Sequence, residues 1–279
     1  MKIYSPISVS DVLEFLEKYK EEGCLLAGGT DLIVKYKEES LPYVSMCDVG
    51  KITTLKFIHE EQNSIKIGPL VTHADIIESS LIAAYMPMLA DACKTVGSPQ
   101  IRTRGTIGGN IGTASPAGDT IPALMALGAK LKIASIHGER LVAMKDFFMG
   151  PGKTILKANE MIQEIIIPKM KKEDKGFYIK LGARNALAIS IVGVAGKIKC
   201  KHKTFEKVEV AFGSVGPTVI YKRLKSLERK AFTKKELWNE VQYIKDEVQP
   251  INDVRAKAEY RKEMCVHLLY QGLDKIIEY

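Results

Sequence analysis

Ala27-Gly28-Gly29-Thr30-Asp31 and, further along, Thr106-Ile107-Gly108-Gly109-Asn110-Ile111-Gly112 are the two stretches whose reading decides the fold of this 279-residue chain. Each follows an apolar or turn-forming approach and sets several consecutive backbone N–H groups on residues that crowd nothing. A nest of this kind suits a phosphate oxygen. Two in one chain suit a pyrophosphate held from both sides. Neither stretch is a G-x-G-x-x-G following a strand or a G-x-x-x-x-G-K-[ST], so the Rossmann and P-loop nucleotide sites are not supported. A single Gly-Gly is as well read as a tight turn. The pair, with Ser115, Asp119, Arg102 and Arg104 close by, points to a ligand.

The totals set bounds around this reading. Hydrophobic residues make up 46% of the chain and charged residues 27%, the balance of an ordinary globular protein with a real core. A net charge of +8 favours anionic ligands, but the excess is scattered lysine. With 7% aromatics and no basic–aromatic interleaving, nucleic-acid binding is not indicated. The N-terminal residues carry no apolar signal region, and no stretch is long and apolar enough to span a membrane. The five cysteines (Cys24, Cys47, Cys93, Cys200, Cys265) form no C-x-x-C pair. They read as reduced, mostly buried thiols of a cytoplasmic protein, with no set able to ligate an iron–sulfur cluster. The histidines form no H-x-x-x-H or H-E-x-x-H arrangement, so no metal site is expected.

Three units follow from the pattern. In residues 1–55, Ser8 or Ser10 caps a helix with Val12, Leu13, Leu16 and Tyr19 on one side. Cys24–Ala27 then runs as a strand into the first glycine stretch, and a further strand covers Tyr43–Val49. In residues 56–170, Leu55–His59 and Ser64–Gly68 are strand-like and Thr72 or Ser79 starts a helix. Leu81–Val96 reads as one helix, stopped at Gly97-Ser98-Pro99. A helix opens at Asp119 with proline in its first turn, and strands follow at Leu131–Ile136 and Ile162–Ile167. In residues 171–279, strands at Gly176–Lys180, Ala188–Ala195 and Val208–Ser214 precede a helical tail broken at Pro250. The expected class is α+β: a two-part module, small α/β unit plus larger α+β unit, and then an antiparallel sheet with helices.

Read in order, Leu26–Leu32, Val96–Ile111 and Ala114–Pro122 resemble the FAD-binding medium subunit (or domain) of the molybdenum hydroxylases, the family of xanthine and molybdenum-type carbon monoxide dehydrogenases. Lys180–Ile189, Ala211–Thr218 and Ala258–Lys262 resemble its C-terminal domain. The likeness covers nearly the whole chain, and the ordered set is far more specific than any one Gly-Gly. It implies an FAD wedged between the first two units, with the third folding over the isoalloxazine. It also implies a complex with a small subunit carrying two [2Fe–2S] clusters and a large molybdopterin subunit, electrons leaving through FAD to an acceptor such as NAD⁺.

On this resemblance Leu26, Ala27, Gly28, Gly29, Thr30, Asp31 and Leu32 form the first cofactor loop. Thr106, Gly108, Gly109 and Asn110 form the second, its backbone N–H groups meeting the pyrophosphate from the other side. Ile101 lies along the cofactor, and Thr113 and Ser115 donate hydroxyls. Asp119 accepts from ribose or caps its helix, and Lys180 sits beside the flavin ring. Ile162 packs against the cofactor, with Glu160 either running along it or lying on the surface. Arg102 and Arg104 either reach phosphate or face the iron–sulfur subunit. No acid–base or nucleophile constellation is expected, as suits a protein whose electron chemistry belongs to a flavin. The alternatives are a stand-alone flavin oxidoreductase and a flavin-less structural subunit of such a complex.

Overall fold

The computed structural model describes residues 2–38, 42–184, 187–201 and 204–277. Asn185 and Ala186, inside the Lys180–Ile189 stretch, and His202 lie outside them. In the first unit Ser8 accepts the Asp11 N–H and starts α1 (Val9–Tyr19), which turns Val12, Phe15 and Leu16 inward. Strands β1 (Lys2–Tyr4), β2 (Gly23–Leu26) and β3 (Ser45–Asp48) pair in parallel in the order β1-β3-β2. The first glycine stretch links β2 to α2 (Leu32–Lys37). Leu70 and Met161 of the second unit complete the core that Val12, Leu16, Cys47 and Leu55 begin, so the first two units share one apolar seam.

The second unit is a five-stranded antiparallel sheet crossed by helices. Its strands are β4 (Ile58–Glu60), β5 (Ser64–Ile67), β6 (Lys130–Ser135), β7 (Gly138–Ala143) and, beyond the short hairpin β8 (Phe148–Gly150)–β9 (Lys153–Thr154), β10 (Met161–Pro168). They lie in the order β4-β5-β10-β6-β7. Thr72 and Ser79 both act as caps, Thr72 in a reciprocal box with Asp75, starting α3 (His73–Glu78) and α4 (Ser80–Tyr85). The single helix expected over Leu81–Val96 is broken at Met86. Pro87 has no N–H to continue α4 and becomes the first residue of α5 (Pro87–Lys94), while Met86 is forced out of helical backbone (φ −156°). The helices α6 (Pro99–Arg102), α7 (Ile107–Thr113) and α8 (Thr120–Ala126) follow. All seven residues of α8 are buried.

The third unit is a meander of β11 (Asp174–Gly182), β12 (Ser190–Lys201), β13 (Thr204–Gly213) and β14 (Ile220–Arg223). Both faces of β12–β13 are covered. Val192, Val194, Val210 and Phe212 pack toward α9 (Lys234–Glu240), α10 (Ile244–Glu247) and α11 (Ala258–Ile277). Ala195 and Ala211 face the core of the second unit. Small side chains on that face let α8 lie close against both strands. Among the described residues no helix is long and apolar enough to cross a membrane.

Phe177 pins α11 to this sheet. A Cβ on Gly272 would fall 2.3 Å from the Phe177 ring and one on Gly196 would fall 2.4 Å from it, so the ring is held between two bare backbones. Gly272→Ala should destabilise the fold by about 2 kcal/mol through overpacking. The check is a lower urea midpoint at unchanged slope.

Candidate functional site

β2, α6, α7, the Ser115–Asp119 turn, β10 and the Leu187–Ile189 segment before β12 converge on a cavity of about 740 Å³, a volume usual for organic-ligand sites. The residues singled out from the sequence line it, except Leu26, Arg102, Arg104 and Lys180. The first glycine stretch forms one wall. Among the hydrogen bonds of the described residues, none uses the N–H of Gly28, Gly29, Thr30, Asp31 or Leu32. Gly29 sits at φ +74°, which favours glycine. A Cβ on Gly28 would lie 2.0 Å from the Arg104 carbonyl oxygen. The first loop is therefore laid directly on the backbone that leads into the second. Thr113 Oγ1 donates to Asp31 Oδ2 at 3.3 Å, tying the loops together from the other end. The Asp31 carboxylate is also met by Lys35 Nζ at 2.8 Å, which offsets a negative charge beside a phosphate-seeking loop.

The second glycine stretch differs from the expectation of open donors. Ile107 N–H donates to Val71 O, Gly108 N–H to Pro69 O and Asn110 N–H to Thr106 O. Gly109 N–H donates to Thr106 Oγ1, the cap of α7. These groups are spent on starting the helix and fastening it to the Pro69–Val71 segment. What this wall offers instead is bare Cα surface and side chains. Thr120 Oγ1 donates to Asn110 Oδ1 at 2.6 Å, so the Asn110 amide keeps its two N–H donors for another partner.

Asp119 does not cap α8. Its carboxylate turns instead to the third unit, accepting from Tyr178 O–H at 3.1 Å and Lys180 Nζ at 2.7 Å. Lys180 also donates to Thr95 O. Both charges are buried, with side chains 8% and 9% exposed. Burial pushes the Asp119 carboxyl up, an effect that Lys180 and Tyr178 oppose. Lys180 is not among the residues that line the cavity; its ammonium meets Asp119, which does line it. Glu160 lines the cavity but is held by Arg140 at 2.9 and 2.8 Å and by Lys157 N–H at 2.8 Å. Arg140 draws its carboxyl below the usual range. Arg102 donates to the carbonyls of Val96 and Gly97; neither it nor Arg104 lines the cavity.

Sequence reasoning passed over His73, the first residue of α3, which is 2% exposed and also lines the cavity. Burial, with Arg102 nearby, draws its pKa down from 6.5 to about 4. The folded value lies below the unfolded one, so the unfolded chain binds this proton first. The stability His73 contributes is whole above about pH 6.5 and is lost as the pH falls toward about 4, by about 3 kcal/mol in all. Denaturation series at pH 7 and 4.5 should show this loss in the wild type and a smaller one in His73→Gln.

Residues 1–170 match the family described as the FAD binding domain in molybdopterin dehydrogenase, and residues 177–276 match the CO dehydrogenase flavoprotein C-terminal domain. The chain belongs to this family of flavoprotein subunits. It is 31% identical to the xanthine dehydrogenase FAD-binding subunit of Escherichia coli O157:H7, over 91% of this chain and 87% of that one. It is 34% identical to the nicotinate dehydrogenase FAD-subunit of Eubacterium barkeri, over 71% of this chain and 68% of that one. Its fold matches a carbon monoxide dehydrogenase from Hydrogenophaga pseudoflava, solved without the Mo-pyranopterin moiety, at a TM-score of 0.94 and 28% identity over 98% of this chain and 96% of that one. This flavoprotein subunit is an FAD-binding, electron-transfer component of a molybdenum hydroxylase complex. The cavity fits the cofactor on its own terms. Five consecutive N–H groups without an acceptor among the described residues match what a pyrophosphate would need, and Leu25, Leu32, Ile101, Met161 and Ile162 give the cavity an apolar lining of the kind rings require.

Proposed function

We propose that this chain binds FAD in the cavity between units 1–55 and 56–170, with unit 171–279 over the isoalloxazine end. In this placement the Gly28–Leu32 N–H row takes the pyrophosphate. The observation that carries the reading is that row of five donors, none with an acceptor among the described residues. The Asn110 amide and the Thr113 and Ser115 hydroxyls add side-chain donors from the facing wall. Asp119, fixed by Tyr178 and Lys180, offers its carboxylate edge to sugar hydroxyls. Lys180 holds that carboxylate in place. Leu187, Ala188 and Ile189, which line the cavity from the third unit, exclude water at the ring end. When bound, the flavin supplies redox chemistry between one-electron donors and a two-electron acceptor.

The donors in this reading are [2Fe–2S] clusters of a small partner subunit, fed by a large molybdopterin subunit, and the acceptor is NAD⁺ or a comparable oxidant. Support for the partners comes from the likeness to subunits named as parts of xanthine and carbon monoxide dehydrogenases. The test is the visible spectrum of the gently purified chain and the identity of any chromophore it releases. Flavin absorbance with FAD released, followed by bleaching when substrate is added to the assembled complex, is the expected result. A chain that neither retains nor takes up FAD, alone or with its partners, would leave the flavin-less structural subunit as the better reading.

A further inference from the structure

His73 and Cys93 form a buried pair that the cofactor-loop reading leaves unused. Cys93 lies on α5 with no exposure, and its Sγ stands 3.6 Å from His73 Nδ1. The opposite edge of the imidazole lies along the cavity wall. A Cβ on Gly105 would be 3.2 Å from His73 Cδ2 and 3.4 Å from Thr30 Oγ1. That places the Cδ2–Nε2 edge next to the first glycine loop and to the backbone between the two loops.

The chemistry of the pair selects a tautomer. Burial pushes the Cys93 thiol far up, so the sulfur carries its proton. A thiol is a weak donor and a poor acceptor, whereas an unprotonated imidazole nitrogen accepts well. The favourable arrangement has S–H donating to Nδ1, which leaves the ring's single proton on Nε2. The groups around the ring oppose a second proton. Arg102 repels it from α6, the thiol in contact is protonated, and Asp119, which acts on that thiol, helps keep it so. No hydrogen bond of the described residues uses Nε2, and Nε2 is not among the buried polar atoms left without a partner. It therefore opens onto the cavity.

We propose that His73 is a neutral, fixed-tautomer hydrogen-bond donor to the bound FAD through Nε2–H, and that Cys93 is the positioning residue that sets the tautomer. The inference rests on the placement of FAD in this cavity. It gives the site a donor that a cationic side chain would not replace: directional, uncharged and independent of pH across the neutral range.

Two readouts test it on the full chain. In ¹⁵N-histidine spectra of the FAD-loaded protein, His73 should show an unprotonated Nδ1 and a protonated Nε2. Cys93→Ala should blur that signature and Cys93→Ser should restore it, since a hydroxyl donates to Nδ1 in the same way. In FAD titrations of the apo-protein, His73→Leu should weaken binding about 10-fold, the scale of one buried hydrogen bond. His73→Gln, whose amide N–H reaches the place of Nε2, should stay within about 3-fold of wild type. A protonated Nδ1, or equal affinities for the leucine and glutamine variants in folded protein, would overturn the proposal while leaving FAD binding intact. A wild-type protein that takes up no FAD would instead sink the functional reading on which it rests, and the proposal with it.

Discussion

Gly28→Ala should leave this subunit unable to hold its cofactor, with FAD affinity lowered at least about 100-fold, or about 2.7 kcal/mol. The added methyl would sit 2.0 Å from the Arg104 carbonyl oxygen, 2.7 Å from its carbon and 3.1 Å from Gly105 Cα. All three are backbone atoms, so no rotamer change relieves the clash. The loops must part, and the Gly28–Leu32 donors move as one body away from the facing wall. Gly29→Ala is the informative comparison. Its neighbours, Ile33 Cγ1 at 3.2 Å and Leu26 Cδ1 at 3.3 Å, are side-chain rather than backbone atoms, and its main cost comes from φ +74°, about 1–2 kcal/mol. Equilibrium titration of the two apo-proteins with FAD should rank Gly28→Ala as much the weaker binder. Comparable binding by Gly28→Ala and wild type would show that the loop contact is not needed for the site.

The second large effect concerns the seam between the second and third units. Lys180→Met leaves the Asp119 carboxylate buried with only the neutral side chains of Tyr178 and Thr95 to hydrogen-bond it among the described residues, and removal of one partner from a buried ion pair costs about 3–5 kcal/mol. Calorimetry should show a large fall in Tm. Adding Asp119→Asn removes the stranded charge while keeping an acceptor for Tyr178 O–H. The double variant should therefore recover most of the lost stability. FAD affinity should not recover with it, because a neutral amide is a weaker acceptor for ribose hydroxyls than a carboxylate. Stability and binding moving together in all three proteins would instead assign Asp119 to the seam alone.

Local signals carried much of this architecture. Ser8, Thr72 and Ser79 cap helices because their hydroxyls precede apolar runs, and those runs show the 3.6-residue period. The break at Met86–Pro87 was readable from the proline, whose effect on the preceding residue is local. The two glycine loops were legible as loops, but their difference was not. Whether an N–H is free depends on where Pro69 and Val71 point their carbonyls, which sequence spacing does not encode. Lys180 was singled out as a cation beside the flavin ring, but its buried pairing with Asp119 was not legible. Tyr178 is two residues away on the same strand, so period-2 parity puts it on the same face. That pairing hinted that the lysine's face meets a polar group in the protein. His73 carried no motif and is distinguished only by tertiary burial beside Cys93.

One consequence follows from the unequal loops. A row of five donors held in position before any nucleotide arrives does not distinguish a pyrophosphate from other tetrahedral oxyanions by its backbone alone. Selectivity must come from the side chains of the facing wall and from ring contacts farther along the cavity. On the proposed placement of the pyrophosphate, inorganic phosphate and sulfate should compete for the first step of cofactor loading, and the salt used to purify or reconstitute this subunit should act as a reactant in that step rather than a neutral background.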